Sequence, residues 1–221
     1  MSETKGWLAV LMANPYTVNE RNPTSGSETI TIVVATPLEA NAVRRERPNA
    51  AVVESGIGLA RLRERPRGTV VVCGVAGGLR NDLPTGTVLI PHRVRRPDGR
   101  ELECDAELVS AFVASARRLG AEPVLDALLT AAGIVNGAAR LEWAARGYAA
   151  VDMETGLIEA QRVAAVRVVL DTPAHELSTD WVHPMRAMLK PWNWPQAAWL
   201  AREAPRAARL AARVVAQGIG A

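Results

Sequence analysis

Aromatic residues make up only 4% of this chain of 221 residues, while alanine, valine and leucine recur throughout, so its core must be aliphatic. Cysteine is almost missing. Two cysteines exclude a disulfide framework, and Cys73 stands inside an apolar run where a reduced, core-filling thiol is expected. That usage points to a cytoplasmic setting. No apolar run approaches the ~20 residues needed to cross a bilayer. The apolar patch from Trp7 to Ala13 has only Lys5 before it and sits at the short end for a secretion signal. Arginines are scattered, the net charge is +3, and there is no basic block to track a phosphate backbone, so nucleic acid is not an expected partner. Internal repeats and low-complexity tracts are also missing. With 48% apolar and 22% charged residues, the chain has the make-up of one globular domain rather than two.

What is present is a regular alternation of strand and helix signals. Residues 14–28 are polar and rich in turn formers, so residues 1–28 are read as a loose extension and 29–221 as the folded domain. Residues 29–35 form a β-branched run of strand length. Thr36, Pro37 and Glu39 then supply the N-cap, first-turn proline and N3 acid of a helix that Pro48 ends. Further strands are expected at 50–54, 69–75, 87–90, 128–135, 149–151 and 165–170. Helices are expected over 58–65, 106–119, 140–146, 155–163 and 194–217, the last broken or kinked at Pro205. Asp98-Gly99 marks a hairpin. The pattern implies a single three-layer α/β/α domain around a mostly parallel, mixed sheet.

In such sheets ligands bind beyond the carboxyl ends of the strands. Several strand ends here are unusual: Glu39, the turn Ser55-Gly56-Ile57-Gly58, the turn Gly74-Val75-Ala76-Gly77-Gly78, the pair Asp152 and Glu154, and Asp171. Each has a plain reading. Glu39 completes a capping box with Thr36, Asp152 caps the next helix, Glu154 favours a helix dipole, and Asp171 begins a turn before Pro173. Gly56-Ile57-Gly58 is not a dinucleotide fingerprint, since Arg61 occupies the place of its third glycine. The alternative is that these carboxylates and glycine turns share one site.

Taken in order, the segments 35–39, 55–58, 74–79, 134–137, 151–154 and 166–171 resemble the nucleoside phosphorylase and nucleosidase superfamily. Residues 74–105 and the tail around Lys190 look most like its hopanoid-associated phosphorylase branch. Residues 134–136 are more similar to methylthioadenosine/adenosylhomocysteine nucleosidases. The resemblance implies a phosphorylase/hydrolase-like fold that cleaves the N-glycosidic bond of an adenine nucleoside. Asp171 would be the general acid and Glu39 the group that activates water. Glu154 would anchor the ribose hydroxyls over Met153, while Ile134, Val135, Gly77, Gly78 and Val75 would line the base and sugar. Gly56, Gly58 and Arg44 would meet phosphate or water, with Arg61 and Arg80 as further phosphate partners. No metal or other cofactor is implied; phosphate is the possible co-substrate.

Three departures from the family pattern make the site more apolar: Val75 for a hydroxyl residue, Leu170 for a serine, and Ile134 for an aromatic. They favour a nucleoside with a bulky or apolar 5′ substituent. The branch resemblance points to phosphorolysis, with hydrolysis as the alternative and a nucleoside-binding protein without turnover as the rival. A homo-oligomer is expected. The tail places Trp181, Trp192, Trp194 and Trp199 beside Arg202, Arg206, Arg209 and Arg213, which reads either as pocket or interface packing or as weak contact with a membrane surface.

Overall fold

The computed structural model describes residues 29–182 and 184–220; the expected N-terminal extension lies outside the described residues. The strands are β1 (Ile30–Val34), β2 (Ala51–Glu54), β3 (Thr69–Gly78), β4 (Val88–Leu89), β5 (Arg93–Arg95), β6 (Glu101–Glu103), β7 (Ala127–Thr130), β8 (Tyr148–Asp152) and β9 (Arg162–Val169). The helices are α1 (Pro37–Glu46), α2 (Ala106–Arg118), α3 (Ala138–Ala145), α4 (Pro184–Met188) and α5 (Trp194–Ile219).

Among the described residues the strands form one mixed sheet hinged on β3. The first half of β3 pairs in parallel with β1 on one side and β9 on the other. Its last two residues, Gly77 and Gly78, pair antiparallel with β8 and so carry the chain into the second half, β8-β7-β5-β6. Side chains alternate across the strands. Ile32, Val34, Val71 and Val166 face α1, α2 and α5, whereas Val33, Val70, Val72 and Ala165 face Leu128, Ala149 and Ala150 of the second half. Cys73 fills the first of these cores as a free thiol, and burial pushes that thiol up.

Besides small shifts at strand ends, such as β3 running on to Gly78, four expected elements differ. The helix expected over 155–163 is a short 3-10 turn, Thr155–Leu157, after which β9 begins at Arg162. Side chains have captured its backbone donors: Thr155 N–H donates to Asp152 and Gly156 N–H to Thr130 Oγ1 at 2.7 Å. The helix expected over 58–65 is likewise a 3-10 turn, Ile57–Leu59, because Gly58 holds φ at 62°. The strand expected over 128–135 stops at Thr130, where pairing with β8 ends. Finally, α5 runs unbroken through Pro205. An interior proline costs ~3 kcal/mol. Burial of Ala207, Ala208, Ala211, Val214 and Val215 on the same helix outweighs it.

Candidate active site

The capping box at the start of α1 forms as its residue types demand. Glu39 Oε2 accepts from the Thr36 N–H at 2.9 Å and from its hydroxyl at 2.8 Å. The other oxygen, Oε1, accepts the Val75 N–H at 2.9 Å from β3, and that link turns a local cap into a strut across the site. The approach depends on Gly74, since a Cβ there would lie 2.1 Å from Glu39 Oε1. Among the described residues Oε1 has this one hydrogen-bond donor, which leaves an acceptor direction for a further donor.

Glu154 follows β8 and is 5% exposed. Its Oε1 accepts the Gly58 N–H at 2.9 Å, and its Oε2 faces Arg167 at 3.2 Å. Gly58 presents that N–H from the left-handed region that glycine enters without strain. Burial pushes the Glu154 carboxyl up to about 7; Arg167 opposes this, and the nearby Asp152 charge adds to it.

Behind Glu154 lies a buried network. Asp152 accepts from Thr130 Oγ1 at 2.6 Å and from the Thr155 N–H at 3.1 Å, and it pairs with Arg167. It therefore caps the following turn and also neutralises a buried cation. Arg167 is 1% exposed on β9. Burial works against its charge, but Asp152, Glu154 and Glu39 outweigh that and raise its pKa above the usual arginine range.

Asp171, just past β9, is held differently. Its Oδ2 accepts from Arg140 of α3, and this side chain is also 1% exposed. Arg140 Nε donates to the Val135 carbonyl at 2.8 Å, and one terminal nitrogen donates to the Gly78 carbonyl at 2.5 Å. A single guanidinium thus ties Asp171 to the end of β3 and to the loop after β7.

These strand ends surround one cavity of about 580 Å³. Glu39, Glu154, Asp171, Met153, Ile134, Val135, Val75 and Gly77 all line it. Gly78 is buried beside it, with its carbonyl taken by Arg140. Gly56 and Gly58 stand on either side of Ile57, which is the residue of that turn lining the cavity. The fold does not bring Arg44 in: it is exposed in the last turn of α1, whereas the cavity meets the first. Arg61 is bound to Glu54, and Arg80 to Asp82 and Asp126, outside the cavity. Much of the remaining lining is apolar, including Leu38, Leu177, Trp181, Met188, Leu200 and Ala204. No helix of the described residues is long and apolar enough to cross a membrane.

Sequence reasoning missed both buried arginines. For Arg167 a signal existed, since one arginine interrupts an otherwise apolar strand and a charge there requires a partner. For Arg140 none existed locally. Its partner Asp171 is 31 residues away, and arginine in a short helix is ordinarily a surface residue.

A comparison with curated protein sequences finds no match. Solved structures share the fold. A 5′-methylthioadenosine/S-adenosylhomocysteine nucleosidase from Neisseria meningitidis, in complex with methylthio-immucillin-A, aligns with a TM-score of 0.66 at 19% identity, covering 87% of this chain and 99% of that one. An S-adenosylhomocysteine nucleosidase from Streptococcus pyogenes aligns with a TM-score of 0.66 at 15% identity, covering 89% and 98%. A futalosine hydrolase of Helicobacter pylori aligns with a TM-score of 0.62 at 14% identity, covering 87% and 97%. The family model described as the phosphorylase superfamily matches residues 47–216, which span β2 through most of α5 and hold every site carboxylate except Glu39. The chain therefore belongs to the phosphorylase superfamily.

Proposed function

We propose that this protein hydrolyses the N-glycosidic bond of a purine nucleoside, one carrying an apolar 5′ substituent, and releases the base. The observation that carries the reading is the convergence of Glu39, Glu154 and Asp171 on one cavity whose other lining residues are mostly apolar. In this reading the ribose hydroxyls donate to Glu154, each bond to the charged acceptor contributing ~1.5–3 kcal/mol. Water bound at the open side of Glu39 Oε1 gives its hydroxyl to C1′ and its proton to the carboxylate. The C1′–N9 bond breaks, its electron pair leaves with the purine, and Asp171 supplies a proton to N7. The proton that Asp171 gives to N7 is drawn from solvent, and the one that Glu39 takes from water returns to solvent after turnover, so the step balances.

Phosphorolysis is the expectation from branch resemblance, and the site geometry favours water instead. A phosphate dianion would enter a cavity lined by Glu39, Glu154 and Asp171. Arg140 is the one arginine or lysine among the described lining residues, and it is already paired with Asp171. The hydrolytic neighbours named above support the same choice, as does the missing hydroxyl at Val75.

Base release from a panel of 5′-alkyl and 5′-alkylthio adenosines, with and without phosphate, tests the reading. The expected outcome is turnover without phosphate and a free sugar product, with Asp171→Asn lowering kcat by ~10²–10⁴-fold when assayed well below its own Tm, which falls because Arg140 loses its charged partner. Turnover that required phosphate and yielded a sugar 1-phosphate would overturn hydrolysis. Tight binding without any base release would leave a nucleoside-binding protein.

A further inference from the structure

The tryptophans of the C-terminal region divide into two kinds. Trp181 donates from its indole to Gln196 at 2.5 Å, and Trp199 stacks on His175 with ring centroids 4.3 Å apart. Both are part of the packed body. Trp192 and Trp194 point outward, 71% and 59% exposed. Around them Met185, Met188 and Leu189 are also exposed, so five of the eight exposed large apolar side chains among the described residues lie within ten consecutive positions. The group is held as a unit: Trp194 Nε1 donates to the Met188 carbonyl at 3.2 Å, and Lys190 lies over the Trp192 ring at 5.7 Å. Such clustering is unusual for a surface that faces only water.

Charge and position identify what this surface meets. Between residues 180 and 210 the chain carries Arg186, Lys190, Arg202, Arg206 and Arg209 against two acids, Asp180, which pairs with Lys190, and Glu203, which pairs with Arg202 and Arg206, so the segment keeps a net positive charge. Met188 belongs both to the exposed cluster and to the lining of the cavity, so the apolar surface runs without a break into the site. Exposed leucine, methionine and tryptophan, with Arg186 and Lys190 in the same short stretch of chain, are the chemistry of a face that lies on an anionic bilayer.

We propose that the surface formed by Met185, Leu189, Trp192 and Trp194 docks on an anionic lipid membrane, with the cavity mouth facing the bilayer. An apolar substituent would then pass from the hydrocarbon into the cavity without crossing water. The docking itself does not rest on the proposed activity, because vesicle binding is measured without turnover.

The test is flotation of the full chain with vesicles of equal parts phosphatidylglycerol and phosphatidylcholine. The expected results are co-flotation that weakens as salt rises, and a bound fraction lowered at least about tenfold in Leu189→Ser/Trp192→Ser, since both variant side chains lose the apolar surface that the bilayer would bury. Phosphate-free hydrolysis of a water-soluble 5′-methylthio nucleoside is expected to be unchanged in that variant, which also shows that it folds. Absence of flotation at every ionic strength would overturn the proposal, and so would equal flotation of the variant. A concentration-dependent dimer in sedimentation that the variant abolishes, without vesicle binding, would assign the surface to a second copy of the chain.

Discussion

A guanidinium taken out of water is tolerable only if its donors are used, and Arg140 spends them on Asp171, Gly78, Val135 and Asn136. Breaking a buried pair from one side leaves the other charge uncompensated, typically at ~3–5 kcal/mol. Arg140→Met is therefore expected to lower the unfolding free energy by about that amount in denaturant titrations. Arg140→Met/Asp171→Leu should recover most of the stability while remaining inactive, because an apolar pair of similar volume carries no desolvation cost. Arg140→Lys keeps the charge but loses the planar fork that reaches two backbone carbonyls at once. Its expected signature is a fall in kcat with KM little changed, which separates positioning from simple unfolding. At this scale the carboxylates were legible in the sequence, because they close strands and follow glycine turns. Their cationic partners were not, because a pairing across 31 residues leaves no mark in either local pattern.

At the scale of elements, α5 shows where local rules yield. Proline within its span reads as a break, yet the helix continues, since the residues after Pro205 pack on α1, α2 and β3. The contact with α2 is tight. A Cβ at Gly218 would come within 2.3 Å of Phe112 Cδ1, and Ser115 Oγ donates to the Val214 carbonyl at 2.8 Å. Gly218→Ala overpacks this contact and should cost ~1–3 kcal/mol. Thermal denaturation is expected to show a lower Tm, while base release well below Tm stays at the parent rate, since Gly218 does not line the cavity. The expected helix over 155–163 fails for the opposite reason. Its sequence permits a helix, but Asp152 and Thr130 take the first N–H groups, and β3 offers the following residues a parallel partner.

For the molecule as a whole, Glu154 couples stability to activity with opposite signs. Its ordinary value is 4.5 and burial pushes it up to about 7, so between these pH values the folded state holds a proton that the unfolded chain has released. Its contribution to stability is therefore fully present below 4.5, is lost as pH rises towards 7, and is constant above. The ribose anchoring proposed for Glu154 would need the charged form, and on that proposal kcat/KM should rise over the same interval. Once ribose hydroxyls donate to the carboxylate they favour its charged form, and kcat should vary less than kcat/KM. Glu154→Gln is expected to remove this component from both profiles, as read by urea titrations and initial rates across pH. Unchanged slopes in the variant would assign the dependence to another group.

Periodicity and turn chemistry were enough to establish an α/β domain, the capping box at Glu39 and the Asp98-Gly99 hairpin, and to point to the carboxyl ends of the strands, where the cavity lies. These depend on residues close together in the chain, or on a rule that holds for any parallel sheet. The tertiary structure alone decided that Glu39 both caps α1 and faces the cavity, that Arg140 and Arg167 are buried beside the carboxylates, and that Arg44 stands outside. It also turned two of the four C-terminal tryptophans inward and two outward. Each of these outcomes depends on which distant charge or surface a side chain meets, and burial makes that meeting cost or yield several kcal/mol, more than any local preference.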